Sequence, residues 1–357
     1  MSAGVILLAF MICAATSIGG TPPLGYQPNI LLLFPDEWRF DWDGFRKDNG
    51  AVPLSVPNLH AFAEKGTRFQ HAYVPAPVCS PSRSCLASGR EYDFAHVSAN
   101  FANDYPTWQT TFYTLLKEAG YHTMMTGKDD LTKATQLGST IGKYRPYGAY
   151  NMEALGIVDG IRYSGKADVI DKFPMPHEPY GYYLRNHTVH LENSTAISAW
   201  EAHHACFKGD FSLCDSTSYP DSMYEDNWTG ENALTLLERK PSGKPWMMHV
   251  SFPGPHPVFL TTAKMAATVV NRTWPDPIDA RKEHGKATCG TNKGSHAGEP
   301  GLGKKNNGSR CNYGAEIENL DRLFGVVVDK VEAMGELAKT IVCISSDHGD
   351  MMGDHDG

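Results

Sequence analysis

The sequence contains no apolar run long enough to cross a membrane as a helix. Its amino-terminal run covers residues 5–12, whereas a bilayer-spanning helix needs about 20 apolar residues. Basic residues are not in excess, because 32 Lys and Arg stand against 40 Asp and Glu, a formal net charge of −8. This acidic balance argues against nonspecific nucleic-acid binding. Low-complexity tracts and internal repeats are also missing, which excludes collagen-like chains, wholly disordered chains and repeat architectures.

The composition that is present is that of a globular protein. Hydrophobic side chains make up 41% and charged side chains 20% of the 357 residues. At roughly 100 to 200 residues per domain this length allows two domains, but large α/β enzymes exceed about 250 residues as one unit. Both arrangements are compatible with the length.

Residues 1–20 are predicted to form a secretory signal peptide. The apolar run at 5–12 is followed by small residues, among them Ala14, Ala15 and Gly19, which is the order of an apolar segment and a cleavage region. The first residues carry no Lys or Arg, so the amino terminus is the positive charge available there. The alternative for this segment is a buried first strand or helix.

Five Asn-x-Ser/Thr sequons are predicted glycosylation sites. None has Pro at its middle position, and together with the leader they indicate the secretory pathway, with a lysosomal or extracellular destination. We expect these sequons to lie in surface loops. The acceptor residues are Asn186, Asn193, Asn227, Asn271 and Asn307.

Several cysteines in loop-like sequence fit the same compartment. Cys206 with Cys214, or Cys289 with Cys311, are candidate disulfides, since oxidising compartments favour such bonds. The spacing alone does not determine which cysteines pair.

Four apolar runs predict strands buried on both faces of a mostly parallel sheet. They cover residues 29–34, 121–126, 246–252 and 340–345. Each run is followed within four residues by an ionisable side chain. Because helix-like stretches at 111–119 and 315–334 alternate with the runs, we predict a doubly wound α/β fold that binds its ligand beyond the carboxyl ends of the strands. The alternative is that these loops are polar only because loops usually are.

Residues 79–83 read Cys-Ser-Pro-Ser-Arg and are followed by Gly-Arg at 89–90. This segment resembles the Cys-x-Pro-Ser-Arg signature of the sulfatase family. The resemblance implies that a formylglycine-generating enzyme oxidises Cys79 to formylglycine, whose aldehyde is hydrated to a geminal diol. One diol oxygen then attacks sulfur and displaces the alcohol, and deprotonation of the other oxygen expels sulfate and regenerates the aldehyde.

The same resemblance gives Arg83, one helical turn later, the role of holding the diol and balancing charge. A helix that begins at this segment also favours anions at its amino terminus. The structural alternative is a disulfide between Cys79 and Cys85, or two buried thiols, in a turn followed by a helix.

The resemblance covers residues 28–357 and implies one catalytic domain with an alkaline-phosphatase-like α/β fold. In this fold a large, central, mostly parallel sheet is flanked by helices. Sulfatases generally continue beyond the strand predicted at 340–345, through another lysine that binds sulfate and into a smaller carboxyl-terminal domain. We therefore expect the carboxyl-terminal part of the fold to be missing from this sequence.

Acidic groups after two predicted strands match the family's metal ligands. The resemblance implies that Asp36, Asp347 and His348 bind the ion, together with the formylglycine at Cys79. Glu37 stands where many relatives carry Asp, and it either reaches the ion or points elsewhere. Carboxylate oxygens suit Ca²⁺ or Mg²⁺, whereas His348 is an atypical Ca²⁺ ligand, which leaves the identity of the metal open.

Two basic side chains match residues that bind the sulfate group in this family. Lys128 would bind the sulfate and the diol, and His256 would contact the sulfate and protonate the leaving oxygen. Asp130 replaces a histidine that is thought to deprotonate the diol, and a carboxylate could do this only with a suitably placed pKa. The segment Gly-Lys-Asp-Asp at 127–130 resembles the arylsulfatase K branch of the family.

The function implied by the resemblance is hydrolysis of a sulfuric ester, with a sulfated saccharide as the favoured substrate. A phosphonate or phosphate-diester hydrolase on the same scaffold is one alternative, because phosphoryl and sulfuryl groups share size and tetrahedral geometry. An inactive secreted glycoprotein that binds sulfated glycans is another, because of Asp130 and the early end of the sequence. Neither nucleic acid nor a membrane span is expected as a partner or anchor.

Overall fold

The fold is known from a computed structural model of the chain. It describes residues 12–14, 26–46, 52–100, 102–132, 152–163, 165–166, 178–190, 196–208, 220–257, 259–278 and 302–354. Within these ranges helices and strands alternate, as the apolar pattern predicts.

Nine strands lie in the part of the chain that the structure describes. They are β1 (Ile12–Ala14), β2 (Asn29–Asp36), β3 (Thr67–Arg68), β4 (His122–Lys128), β5 (Asp159–Tyr163), β6 (Thr188–His190), β7 (Ala196–Ser198), β8 (Trp246–Pro255) and β9 (Thr340–Ile344). Four of them, β2, β4, β8 and β9, match the runs predicted as buried strands, although β4 begins one residue later and β9 ends one residue earlier than its run. These predictions are confirmed.

The described residues also form nine α-helices. They are α1 (Pro57–Lys65), α2 (Cys79–Ser88), α3 (Tyr92–Ala95), α4 (Phe112–Glu118), α5 (Pro179–Arg185), α6 (Ala199–Lys208), α7 (Glu225–Arg239), α8 (Ala263–Val269) and α9 (Leu302–Ala333). The predicted helix at 111–119 is α4. The one predicted at 315–334 is part of α9, which begins earlier, at Leu302.

The central sheet has seven strands in the order β3-β1-β9-β2-β8-β4-β5. From β9 to β5 all neighbours are parallel, whereas β1 is antiparallel to both β9 and β3. Strands β6 and β7 form a separate antiparallel pair. The α/β class with a mostly parallel central sheet is therefore confirmed.

Helices cover both faces of the parallel part of the sheet. Leu31 and Leu33 of β2 belong to a hydrophobic cluster that also contains residues of α7 and α9, such as Phe324. Leu32 and Phe34, which point the other way, belong to a second cluster with residues of α4. Because both faces are buried, β2 reads as a continuous apolar run rather than an alternating one.

The short strand β1 falls inside the segment predicted as a signal peptide. Its Cys13 is paired with Cys343 of β9 and with Thr67 of β3. This placement corresponds to the alternative of a first strand, and residues 12–14 cannot both occupy this position and be removed with a leader. The remainder of 1–20 lies outside the described residues, and the signal peptide stays a prediction. Among the described helices, none combines the length and apolarity needed to cross a bilayer.

One buried histidine on β8 makes the stability of the fold sensitive to acid. His249 is 2% exposed, and its Nδ1 lies 2.5 Å from the Tyr113 hydroxyl oxygen. Burial, with a smaller contribution from the nearby Arg83 cation, lowers the pKa of His249 to about 3. The folded chain therefore keeps this imidazole neutral where an unfolded chain protonates it.

We predict that the free energy of unfolding falls as the pH drops from about 6.5, the ordinary histidine pKa, towards 3. The loss from this residue reaches roughly 1.4 kcal/mol per pH unit, because only the unfolded state takes up the proton in this window. Urea titrations at several pH values should give a shallower acid slope for His249→Asn than for the wild type. His190→Asn, at an exposed position on β6, is the matched control, and equal slopes in all three proteins would contradict the prediction.

Candidate active site

The ionisable residues after four strands meet at one edge of the sheet. Asp36 ends β2, Lys128 ends β4, His256 follows β8, and Asp347 lies shortly after β9. The four strands are parallel neighbours in the order β9-β2-β8-β4, so their carboxyl ends lie side by side. The structure thus brings together residues that the sequence separates by more than three hundred positions.

Helix α2 begins at Cys79, which accounts for the spacing of the cysteine motif. Val78 is extended before the helix, and Gly89 ends it in the left-handed conformation at φ 63°. Pro81 lies in the first turn, where its missing N–H costs no helical hydrogen bond. The Gly89 N–H caps the helix on the Leu86 carbonyl. Cys79 is therefore held at the amino terminus of a helix, and it is 2% exposed.

Four buried side chains from three distant segments, Cys79 among them, converge at this edge. Ligand atoms of Asp36, Cys79, Asp347 and His348 all lie within 4.8 Å of one another. The Cys79 sulfur is 3.2 Å from Nε2 of His348. The same Nε2 is 3.9 Å from a carboxylate oxygen of Asp36 and 3.9 Å from one of Asp347. These are four of the five residues predicted as metal ligands.

The fifth predicted ligand, Glu37, lies beside this group rather than in it. Its backbone is left-handed, with φ 68°, and its carboxylate is 3.7 Å from Nδ1 of His348 and 3.6 Å from Nε2 of His256. Burial raises the pKa of Glu37 to about 7, although the two histidines oppose this shift. Ligation by Glu37 stays a prediction, and its side chain bridges two histidines in the structure.

Arg83 is the buried cation that connects the parts of the site. Its Nε donates to Asp347 at 2.9 Å, and its Nη1 donates to the Lys128 carbonyl at 3.0 Å and to Ser251 Oγ at 2.6 Å. Its Nη2 is 3.5 Å from Asp36. The two aspartates raise the pKa of Arg83 although burial would lower it. The guanidinium is therefore a permanent positive charge between the two carboxylates.

Lys128 is fully buried between two aspartates. Its Nζ contacts the Asp36 carboxylate and is 3.4 Å from the carboxylate of Asp130. Burial alone would lower the pKa of Lys128, but Asp130 and Asp36 hold it well above the usual value. The preceding Gly127 has φ +90°, and a Cβ there would lie 1.9 Å from the Ser251 carbonyl oxygen. Only glycine therefore allows β4 to approach β8 so closely before the lysine.

The arrangement of Asp36 and His348 fits a divalent cation. Nδ1 of His348 donates to the Gly349 carbonyl at 3.0 Å, which leaves Nε2 facing Cys79 and the aspartates. Oδ1 of Asp36 is a buried oxygen without a hydrogen-bond partner among the described residues, as expected for a ligand atom. Carboxylate oxygens and an imidazole nitrogen are suitable donors for a divalent metal ion. Burial opposes protonation of His348, but Asp347, Cys79 and Asp36 raise its pKa to about 11.

His256 lies at the open side of the site. Its Nδ1 contacts the Pro257 carbonyl oxygen, which can only accept, so Nδ1 carries the proton. Nε2 faces Glu37, and the side chain is 26% exposed. His256 is thus the more accessible of the two histidines that the sequence predicts for the site.

The structure contradicts the alternative of a Cys79–Cys85 disulfide. Both residues are free thiols, and they are six positions apart on one helix, so their side chains point in different directions. The other predicted pairs lie outside the described residues, because Cys214 and Cys289 and the side chain of Cys206 are not part of them.

The sequons differ in their placement. Asn186 and Asn271 are exposed, as expected of glycosylation sites, and Asn193 lies outside the described residues. The backbone of Asn307 belongs to α9, and its side chain is outside the described part. The prediction of a surface loop is wrong for Asn227, which lies in α7 and is 5% exposed.

The buried amide of Asn227 has structural hydrogen bonds in place of a glycan. Its Nδ2 donates to the Asp221 carbonyl at 2.5 Å, and its Oδ1 accepts from Arg322 at 2.6 Å. A glycan attached here would replace these contacts with a bulky polar group in a packed helix face, so this sequon is not a surface acceptor in the folded chain.

Sequence reasoning missed two serines that hold the site together. Ser251 accepts a hydrogen bond from Arg83, and Ser82 Oγ donates to the Asp347 carbonyl at 2.6 Å. The signal for Ser251 was a polar residue inside an otherwise apolar run of β8, where a buried hydroxyl needs a partner. Ser82 stands within the cysteine motif itself.

The sulfatase family matches residues 28–357 of the chain, and the chain belongs to this family. An arylsulfatase of Clostridium perfringens is 24% identical over 345 residues, 92% of this chain and 64% of that protein. Arylsulfatase K of Gallus gallus is 32% identical over 138 residues, 36% of this chain and 23% of that protein. This chain therefore spans 64% of the length of the clostridial relative.

Solved structures match the fold over most of the described architecture. The phosphonate monoester hydrolase of Agrobacterium radiobacter has a TM-score of 0.64 at 19% identity, covering 92% of this chain and 64% of that one. A protein solved in complex with its substrate D-glucosamine-2-N,6-O-disulfate has a TM-score of 0.61 at 18% identity, covering 92% of this chain and 67% of that one. These similarities confirm the predicted alkaline-phosphatase-like fold.

We predict that Arg83→Met lowers the free energy of unfolding by roughly 3–5 kcal/mol. The variant removes a cation that compensates the buried carboxylates of Asp36 and Asp347. Denaturant titration in the presence of a metal chelator measures the loss. The matched control is Arg239→Met, which breaks an exposed pair with Asp159 and should cost about 0–1 kcal/mol. A similar cost for both variants would contradict the central role of Arg83.

Proposed function

We propose that this chain hydrolyses sulfuric esters, with Cys79 converted to formylglycine and a divalent metal ion held beside it. The observation that carries the proposal is the convergence of Asp36, Cys79, Asp347 and His348 within 4.8 Å at the carboxyl edge of the sheet. Membership of the sulfatase family and similarity to an arylsulfatase support it.

The proposed reaction requires that Cys79 lose its sulfur. Conversion by a formylglycine-generating enzyme oxidises the Cβ that carries the thiol to an aldehyde, whose hydrate supplies the attacking oxygen. A bound metal ion would neutralise charge on the sulfate group and lower the pKa of this oxygen. Ca²⁺ or Mg²⁺ fits the carboxylates of Asp36 and Asp347, and His348 would complete the set through Nε2.

The two buried cations, Arg83 and Lys128, have different roles in this proposal. Arg83 holds Asp347 and Asp36 in place for the ion, and Lys128 binds a sulfate oxygen and the hydrated aldehyde. Asp130, at 3.4 Å from Lys128, helps to keep this lysine protonated, together with Asp36. We assign Asp130 the role of holding the proton on Lys128.

His256 protonates the leaving oxygen in this proposal. Its Nδ1 is held by the Pro257 carbonyl, so Nε2 is the atom that can deliver a proton to the departing group. The Glu37 carboxylate lies 3.6 Å from this nitrogen. A leaving alcohol needs this proton because an alkoxide is a poor leaving group at neutral pH.

The proposed substrate is a sulfated saccharide, processed in the secretory pathway or outside the cell. The fold similarity to a protein solved with a sulfated glucosamine and the partial similarity to arylsulfatase K support this class. The exposed sequons at Asn186 and Asn271 support passage through that pathway.

Amino-terminal sequencing of secreted protein tests the leader, and retention of residues 12–14 would overturn its removal.

The sulfatase proposal is tested on chain co-expressed with a formylglycine-generating enzyme. We predict that the Cys79 peptide loses one sulfur and two hydrogens and gains one oxygen, as read by mass spectrometry. Turnover of a 4-nitrophenyl sulfate should appear with this change and disappear in Cys79→Ala and after metal chelation. Cys85→Ala, which changes the other cysteine of α2, is the matched control. An unmodified Cys79 in a chain without turnover would overturn the proposal.

A phosphonate monoester hydrolase is the second candidate. The fold similarity to such an enzyme favours it, and the cations around Cys79 suit either tetrahedral anion. Measuring kcat/KM on a matched aryl sulfate and aryl phosphonate monoester distinguishes the two functions. A higher value for the phosphonate would replace the first proposal with the second.

A further inference from the structure

A buried carboxylate outside the predicted site contacts the strand end that precedes His256. Asp226 is the second residue of α7 and is 0% exposed. Its Oδ1 accepts the N–H of Gly254 at 2.9 Å. Gly254 lies two residues before His256, so this contact fixes the backbone from which the imidazole extends.

The strand end is packed directly against this carboxylate. A Cβ added to Gly254 would lie 2.4 Å from Oδ2 of Asp226, a distance that no side chain tolerates. Pro255, the next residue, is paired with Asp36 across a register shift between β2 and β8. Asp226 therefore holds a segment that has Asp36 on one side and His256 at its end.

A buried polar network lies beside Asp226 at the start of α7. The neighbouring Glu225 lies 2.7 Å from Nε2 of His203. Lys166 Nζ is 2.6 Å from Glu316 and donates to the Tyr224 hydroxyl at 3.1 Å. Burial raises the pKa of the Asp226 carboxyl to about 6, although the Lys166 cation and the Gly254 N–H oppose this shift. The hydrogen bond from the Gly254 N–H thus joins this buried carboxylate to the strand end.

We propose that Asp226 is a positioning residue for His256. By holding the Gly254 N–H it directs the imidazole towards Glu37 and the metal side of the pocket. The inference rests on the proposed function, in which His256 protonates the leaving oxygen. It adds a residue that touches neither substrate nor metal but acts through the strand end.

The dependence of the rate on the leaving group distinguishes this role from a general structural one. A 4-nitrophenolate departs readily without a proton, whereas a sugar or alkyl alcohol needs one from His256. A misplaced His256 therefore slows hydrolysis of alkyl or saccharide sulfates much more than hydrolysis of 4-nitrophenyl sulfate. A general loss of folded protein lowers both rates by the same factor.

The experiment uses the formylglycine-containing, metal-loaded full chain. We expect Asp226→Ala to lower kcat on an alkyl sulfate by about 10²-fold, with a several-fold smaller effect on 4-nitrophenyl sulfate. Asp226→Asn keeps an acceptor oxygen for the Gly254 N–H and should retain most of the activity. If Asp226→Ala does not fold, Gly254→Ala takes its place, because it perturbs the same contact from the strand side. It should give the same larger loss on the alkyl sulfate than on 4-nitrophenyl sulfate.

Two further proteins complete the test. Asp321→Ala removes another buried carboxylate, which accepts the N–H groups of Asn58 and Leu59, and it should leave the ratio of the two rates unchanged. In a His256→Ala background the leaving-group effect of Asp226→Ala should vanish, because the proton donor is already absent.

Equal losses on both substrates, or an undiminished effect of Asp226→Ala in the His256→Ala background, would overturn the positioning role alone. A wild-type chain that carries formylglycine and hydrolyses neither sulfate would overturn the proposed function, and the positioning role with it.

Discussion

The site depends on the electrostatic balance around the guanidinium of Arg83. Asp36 and Asp347 are both buried at the end of the sheet, and buried carboxylates of this kind repel each other strongly where water is excluded. Arg83 and Lys128 supply the opposite charges. Because Arg83 comes from α2 and the aspartates follow β2 and β9, the same balance determines how the helix that carries Cys79 docks against the sheet.

The architecture was accessible to sequence reasoning because parallel strands leave a strong signal. Strands buried on both faces must be apolar throughout, so the unbroken apolar run at 29–34 is enough to predict β2. Carboxyl ends of parallel neighbours must also share an edge, so Asp36, Lys128 and Asp347 could be expected to meet. The type of reaction was predicted from the cysteine motif, because hydrophobic periodicity indicates strands and helices but not chemistry.

Other features required the structure because their cause is long-range packing. The sequence could not show that Asn227 is buried, since a sequon is a local pattern and burial depends on α9 contributing Arg322. It did not place Glu37 between two histidines, because the left-handed backbone there depends on contacts with the residues after β9. The role of Ser251 was hidden for the same reason, because its partner Arg83 comes from a different element.

The hydrogen bond from His348 to the Gly349 carbonyl has a consequence for how the pocket is filled. The opposite nitrogen faces two carboxylates, which together with Cys79 raise the pKa of the ring to about 11 although burial opposes this shift. A metal ion that took this nitrogen as its ligand would have to displace the proton there. Protons and the metal ion would therefore compete for one nitrogen, so acid would weaken metal binding.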